Sequence, residues 1–86
     1  MANYSVEIKR SAAKALDALP AKEGLRILAR IQALADDPRP PGAIKLSARE
    51  RYRLRLGDYR ILYEIEDAVL RVLVVAIAHR RDAYRR

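Results

Sequence analysis

The 86-residue sequence contains no cysteine. Disulfides, thiolate nucleophiles and cysteine-held zinc are thereby excluded, and nothing in the chain calls for an oxidising compartment. Long apolar runs are missing as well. The longest, Val72 to Ala78, falls far short of the roughly 20 residues that cross a bilayer as a helix. The first residues alternate polar and apolar and then take on helical spacing, without the continuous apolar stretch of a signal peptide. Internal repeats and low-complexity segments are absent too. These absences predict a soluble cytoplasmic protein. What is present is 51% hydrophobic and 34% charged residues, the mixture of a folded chain. A chain of this length buries one modest core, so residues 1–86 are read as a single domain whose function sits on its surface.

The net charge is +7, from 18 basic and 11 acidic residues, and it is unevenly spread. Residues 49–60 hold five arginines against Glu50 and Asp58, and residues 79–86 hold four against Asp82. Between them, residues 61–78 carry Arg71 against Glu64, Glu66 and Asp67. Two basic blocks around an acidic stretch suggest one polyanion site assembled from two segments. Lysine stops at Lys45, and every later basic residue except His79 is arginine, the side chain suited to forked phosphate contacts.

Tyr4, Val6 and Ile8 alternate with Asn3, Ser5, Glu7 and Lys9, the two-residue period of a half-buried strand. Ser11 is placed to cap a short helix through Lys14, Leu16 and Leu19, which Pro20 ends while suiting the start of the next. In that second helix Ile27, Leu28, Ile31, Leu34 and Ala35 form one apolar stripe. The run from Asp37 to Gly42, with three prolines, cannot continue a helix and is read as a linker. Residues 49–56 and 59–66 alternate strictly about Gly57-Asp58, and glycine in first place suits a type II′ hairpin turn. Val69 to Ala78 is β-branched and apolar at nearly every position, which predicts a central strand covered on both faces and joined to 59–66 by a turn at Asp67-Ala68. Residues 80–86 are read as a helical turn or a tail. The order is strand, helical hairpin, then an antiparallel three-strand meander: an α+β fold with its helices packed on one face of the sheet and the other face free.

A turn at Gly57-Asp58 sets Arg55 opposite Arg60, Arg53 opposite Leu62, Arg51 opposite Glu64 and Arg49 opposite Glu66. Alternation then gathers Arg49, Arg51, Arg53, Arg55 and Arg60 on one face. Tyr52, Leu54, Leu56, Tyr59, Ile61 and Tyr63 lie on the other, as core. Far from the turn each arginine has a carboxylate opposite it and needs no ligand. Near the turn Arg55 and Arg60 are like charges across a pair, with Arg53 diagonal to them, an arrangement that costs stability and that an anion would relieve. Long arginines splaying into water would make the repulsion trivial.

The run from Tyr52 to Glu64 (YRLRLGDYRILYE), followed by Val74 to Arg85 (VVAIAHRRDAYR), resembles the signature of the RelE toxins of the RelE/ParE superfamily, and the element order fits that family over essentially the whole chain. The resemblance implies a toxin of a type II toxin–antitoxin system that enters the ribosomal A site. There it would cut mRNA without metal or cofactor, by attack of a ribose 2′-OH on the neighbouring phosphate, and so block translation. It also implies a RelB-like antitoxin partner with a helix lying across the toxin. Position by position, Arg53 and Arg55 fall where the family often has lysines, Arg60 on its arginine of the next strand, Arg80 on its second arginine and Tyr84 on its C-terminal tyrosine. These five are the expected catalytic residues, with Arg49, Arg51, His79, Arg81 and Arg85 as further RNA contacts. The arginines at 53 and 55 depart from the pattern in one respect: a guanidinium stays protonated and cannot be the base. They would hold phosphate and lower the pKa of a neighbouring phenol or 2′-OH. Tyr84 is then either proton acceptor or stacking platform for an mRNA base. His79, the only histidine, either takes part in proton transfer or positions Arg80. Asp82 either orients Arg80 or Arg81 or is surface decoration. Two other functions remain open on these residues: a ParE-like inhibitor of DNA gyrase without nuclease activity, and a non-catalytic RNA-binding module for which charge alone suffices.

Overall fold

The computed structural model describes residues 3–46 and 50–79. Its elements are β1 Ser5–Ile8, α1 Arg10–Asp17, α2 Ala21–Ala33, β2 Ile44–Lys45, β3 Arg51–Leu56, β4 Tyr59–Glu66 and β5 Arg71–His79. The strands form one mixed sheet in the order β1-β5-β4-β3-β2. β1 runs parallel to β5, with Ser5 beside Arg71 and Ile8 beside Val74, and every other pairing is antiparallel.

Ala12 of α1, with Ile27, Ile31 and Leu34 of α2 and its C-terminal cap, is buried against Tyr52, Leu54, Ile61, Tyr63, Ile65, Val72 and Val74. Those sheet residues share one face, so the helical hairpin covers one side of the sheet, and among the described residues no element covers the other. Each large apolar side chain buried in full contributes about 1.5–3 kcal/mol. Tyr63 is fully buried but not unsatisfied, because its hydroxyl donates to the Pro38 carbonyl at 2.8 Å. That bond ties the proline-rich loop to the middle of the sheet.

α1 starts ahead of Ser11. Its N-terminal cap is Lys9, with no side-chain capping bond, and Ser11 lies exposed inside the first turn. The strand ladder explains the shift: the Lys9 amide still donates to the Val74 carbonyl at 2.9 Å, so β1 hands over directly to the helix. Pro20 does stand at the cap of α2. The loop between α2 and β2 contains Gly42 at φ +95°, and β2 itself went unforeseen because two residues cannot display an alternation.

The β3–β4 register is the expected one, with Arg51 opposite Glu64, Arg53 opposite Leu62 and Arg55 opposite Arg60. Gly57 has φ +60° and Asp58 is not in the left-handed region, which is the pattern of a type II′ turn. The following connection is longer than expected: a 3₁₀ turn at Asp67–Val69, then Leu70 in the left-handed region at φ 51°, so Val69 belongs to the turn.

β5 corrects the expectation of a strand covered on both faces. It is central, but the pairing steps from Tyr63 with Val74 to Leu62 with Ala76, which makes Val75 the extra residue of a β-bulge. Before the bulge Val72 and Val74 point inward; after it Ile77 packs on the core instead. The inward phase changes from even to odd numbers, and a strand that swaps phase midway reads as apolar throughout.

Candidate nucleic-acid interface

On the open face, the ladder pairings arrange outward-pointing side chains in rows across the sheet. Nearest the Gly57 turn are Arg55, Arg60 and Ala78; next come Ile44, Arg53, Leu62 and Ala76; then Arg51, Glu64, Leu73 and Glu7. Partners across a ladder sit about 5 Å apart and alternate residues along a strand about 7 Å. Arg53, Arg55 and Arg60 therefore rise from neighbouring points of one surface.

Charge compensation changes sharply along this face. In the third row, Arg51 donates to Glu64 through Nη2 at 2.5 Å and Nε at 3.1 Å. Beyond it, Arg71 pairs with Glu66 and reaches Glu7 at 3.7 Å, and Glu66 beside it raises the Arg71 pKa. At the same end of the sheet Arg39 donates to both oxygens of Asp67 (3.2 and 2.9 Å), to Glu50 at 2.8 Å and, through Nε, to the Tyr52 hydroxyl at 2.9 Å. The Tyr52 hydroxyl donates in turn to Glu50 at 3.0 Å, Tyr4 donates to Asp67 at 2.6 Å, and Lys45 donates to Glu50 at 3.1 Å. The hydrogen bonds from Arg39 and Tyr4 hold the Asp67 carboxyl down at about 2. Glu50 is likewise lowered by Lys45, Arg39 and Tyr52, and the Arg39 guanidinium is shifted up, chiefly by Asp67.

For Arg53 and Arg55 in the first two rows there is nothing comparable. Among the described residues Arg53 and Arg55 have no hydrogen bond and no ion pair; Arg55 is exposed and Arg53 half-buried. Arg60, also half-buried, faces Arg55 across the ladder. This end of the face can take a phosphodiester and the further charge that phosphate acquires when it is attacked.

His79 is not part of that surface. It ends β5 opposite Tyr59, with the rings edge-to-face at 5.1 Å, on the side of the sheet that carries the helices. The structure thus gathers Arg53, Arg55 and Arg60, assigns Arg51 to Glu64, and turns His79 away. Arg49, Arg80, Arg81, Tyr84 and Arg85 lie outside the described residues. Arg39 is the residue missed from the sequence. Its only signal there is an arginine between two prolines, and its partners Glu50, Tyr52 and Asp67 come from two distant segments.

The family model described as the ParE toxin of the type II toxin–antitoxin system matches residues 6–84. The chain belongs to the RelE/ParE superfamily of toxins. Within that superfamily it is 34% identical to toxin RelG of Mycobacterium tuberculosis, over 96% of this chain and 98% of that one. Its structure superposes on the RelE–RelB complex of Pyrococcus horikoshii with TM-score 0.80 and 27% identity, covering 91% of this chain and 96% of that one. On the isolated RelE toxin of E. coli the TM-score is 0.78 at 18% identity, covering 88% and 83%, a likeness of fold. The five-strand sheet with a helical hairpin on one face is thus a RelE/ParE fold, and the arginine rows lie on the face that this fold leaves open. Among the described residues no helix is long and apolar enough to cross a membrane.

Proposed function

We propose that this RelE/ParE-family toxin is a ribosome-dependent endoribonuclease that cuts mRNA in the A site and thereby stops translation, and that a RelB-like antitoxin holds it in check. The observation that carries the reading is the split in charge compensation: arginines distant from the turn are spent on carboxylates, while Arg53 and Arg55 beside Arg60 are not. In the reaction the ribose 2′-oxygen attacks the adjacent phosphorus and the P–O5′ bond breaks, leaving a 2′,3′-cyclic phosphate and a 5′-hydroxyl. Arg53, Arg55 and Arg60 hold the phosphate and stabilise the charge that grows on its oxygens, with Arg80 as a fourth cation. None of them removes the 2′-OH proton, since guanidinium does not titrate in a usable range. Tyr84, which falls on the family's C-terminal tyrosine, is assigned that proton. Arg49, Arg81 and Arg85 extend the RNA contact, Arg51 stays on Glu64, and His79 supports the strand end. The antitoxin rests on the relatives whose structures are RelE–RelB complexes.

Purified protein incubated with mRNA-programmed ribosomes, followed by mapping of mRNA ends, tests the proposal. Cuts confined to the A-site codon are expected, reduced by Arg53→Ala and Arg55→Ala. The matching family model carries the ParE name, which favours gyrase as the second reading. Inhibition of gyrase supercoiling with no mRNA cut would establish that one, and ribosome-independent RNA binding without either effect would leave only a binding module.

A further inference from the structure

A carboxylate stands beside the uncompensated arginines on the open face. Glu64 lies two residues along β4 from Leu62, the partner of Arg53, so it is the diagonal neighbour of that arginine, roughly 7–8 Å away. Arg51 spends both of its hydrogen bonds on one atom of the Glu64 carboxylate: Nε at 3.1 Å and Nη2 at 2.5 Å both donate to Oε2. Among the described residues nothing donates to Oε1. A forked pair placed for stability alone would engage both oxygens in parallel, and even then an exposed one contributes no more than about 1 kcal/mol. Glu64 is instead pinned by one oxygen and open at the other. Its charge is balanced by Arg51, so it does not drive a phosphate away from Arg53.

The floor around that oxygen is apolar. Leu62 precedes it on β4 and Leu73 lies opposite it on β5, both half-buried on the same face. An apolar floor with one aimed acceptor suits a flat ring that carries an N–H at its edge. With a phosphodiester seated on Arg53, the group that comes within reach is the base of the adjoining nucleotide, unpaired in single-stranded RNA and free to lay its edge on a side chain. Cytosine, adenine and guanine each carry an exocyclic amino group that donates to a carboxylate oxygen. Uracil has only a ring N–H, flanked on both sides by carbonyl oxygens whose lone pairs the carboxylate repels. We propose that Glu64 is a specificity-determining residue that reads a nucleobase through Oε1 and favours an amino-bearing base over uracil, with Arg51 as the positioning residue that holds it. The proposal deepens the endoribonuclease reading and rests on it for the identity of the polyanion as RNA.

Labelled RNA hexamers of cytidine and of uridine are the probes, since the two rings are alike in size and differ in an amino group against a carbonyl. Fluorescence anisotropy with the full chain at low salt is expected to show the cytidine hexamer binding about tenfold more tightly, equivalent to about 1.4 kcal/mol. Glu64→Gln, whose amide donates as well as accepts, is expected to bring that ratio down to about two. Glu66→Gln removes the same charge from the same strand and face and is expected to keep the ratio. Arg51→Ala is expected to lower it about threefold, and Arg51→Lys, which returns the charge without the fork, to restore part of the loss. Circular dichroism checks that the variants melt like the parent. Equal binding of the two hexamers by the parent, a ratio that survives Glu64→Gln, or one that falls as far in Glu66→Gln would each overturn the proposal. Programmed ribosomes whose A-site codons differ only by C for U separate it from the reading beneath it. Cleavage of both codons beside equal hexamer binding would sink the base reader and keep the nuclease, whereas discrimination between the hexamers with no mRNA cut would do the reverse.

Discussion

Replacing Arg55 by glutamate converts the like-charge pair across the β3–β4 ladder into an opposite-charge pair opposite Arg60. Two unit charges about 6 Å apart interact by about 0.7 kcal/mol in water, and cross-strand pairs typically contribute 0.2–1 kcal/mol. Allowing for solvent screening and the side-chain entropy of the pair, Arg55→Glu is expected to stabilise the fold by about 0.5–1 kcal/mol. For a chain of this size that is a rise in Tm of about 3–6 °C. Thermal unfolding followed by circular dichroism at low salt measures it. The gain is expected to shrink towards zero near 0.5 M salt, where the screening length falls well below the roughly 10 Å of 0.1 M salt. The same variant places a carboxylate where phosphate is to sit, so mRNA cleavage is expected to fall by about a hundredfold or more. A protein that is more stable yet less active is the signature of a site that tolerates repulsion for the sake of its ligand. A low-salt Tm that stays put or drops, or cleavage that survives, would refute the idea that Arg55 is held close to a second arginine for the sake of an anion.

Three other outcomes follow from the geometry. Tyr63→Phe leaves the Pro38 carbonyl without its donor and is expected to cost about 1–2 kcal/mol in urea unfolding. Burial raises the Tyr63 phenol to about 12, so the neutral form is favoured in the fold; stability from this group is whole below pH 10 and lost as pH rises towards 12, a limb that Tyr63→Phe removes. Gly57→Ala meets no atom within 4 Å, so its penalty is that of a left-handed alanine alone, about 1 kcal/mol by the same unfolding assay. Asp67, held at about 2, contributes stability that is present above its ordinary pKa and disappears as pH falls towards 2; Asp67→Asn and Arg39→Ala are both expected to flatten the acid limb of a Tm-against-pH curve.

What could be read from the sequence was whatever depends on local period. The β3–β4 hairpin, its register and the gathering of Arg53, Arg55 and Arg60 all follow from strict alternation about a Gly-Asp turn, and all are present. The bulge at Val75 was illegible for the same reason, since a phase change within one strand imitates two-sided burial. Ser11 is chemically a good cap, but the parallel ladder carried through Lys9 fixes where α1 begins, and β1 and β5 lie at opposite ends of the chain. The Arg39 cluster is tertiary throughout: Tyr4, Glu50, Tyr52 and Asp67 come together only once the sheet has formed. Nor could alternation alone orient His79, because its face depends on the bulge upstream.

The position of β5 has a consequence for biosynthesis. It is the last of the five strands in chain order, yet it lies between β1 and β4 and supplies Val72 and Val74 to the core. During vectorial translation β1, both helices and the hairpin emerge before the piece that joins them, so β1 has no ladder partner until residues 71–74 are out. Pairing across so long an intervening segment is slow and entropically costly. A growing chain therefore displays its arginine hairpin before the central strand that ties it to β1 has emerged, and a competent fold waits on that strand.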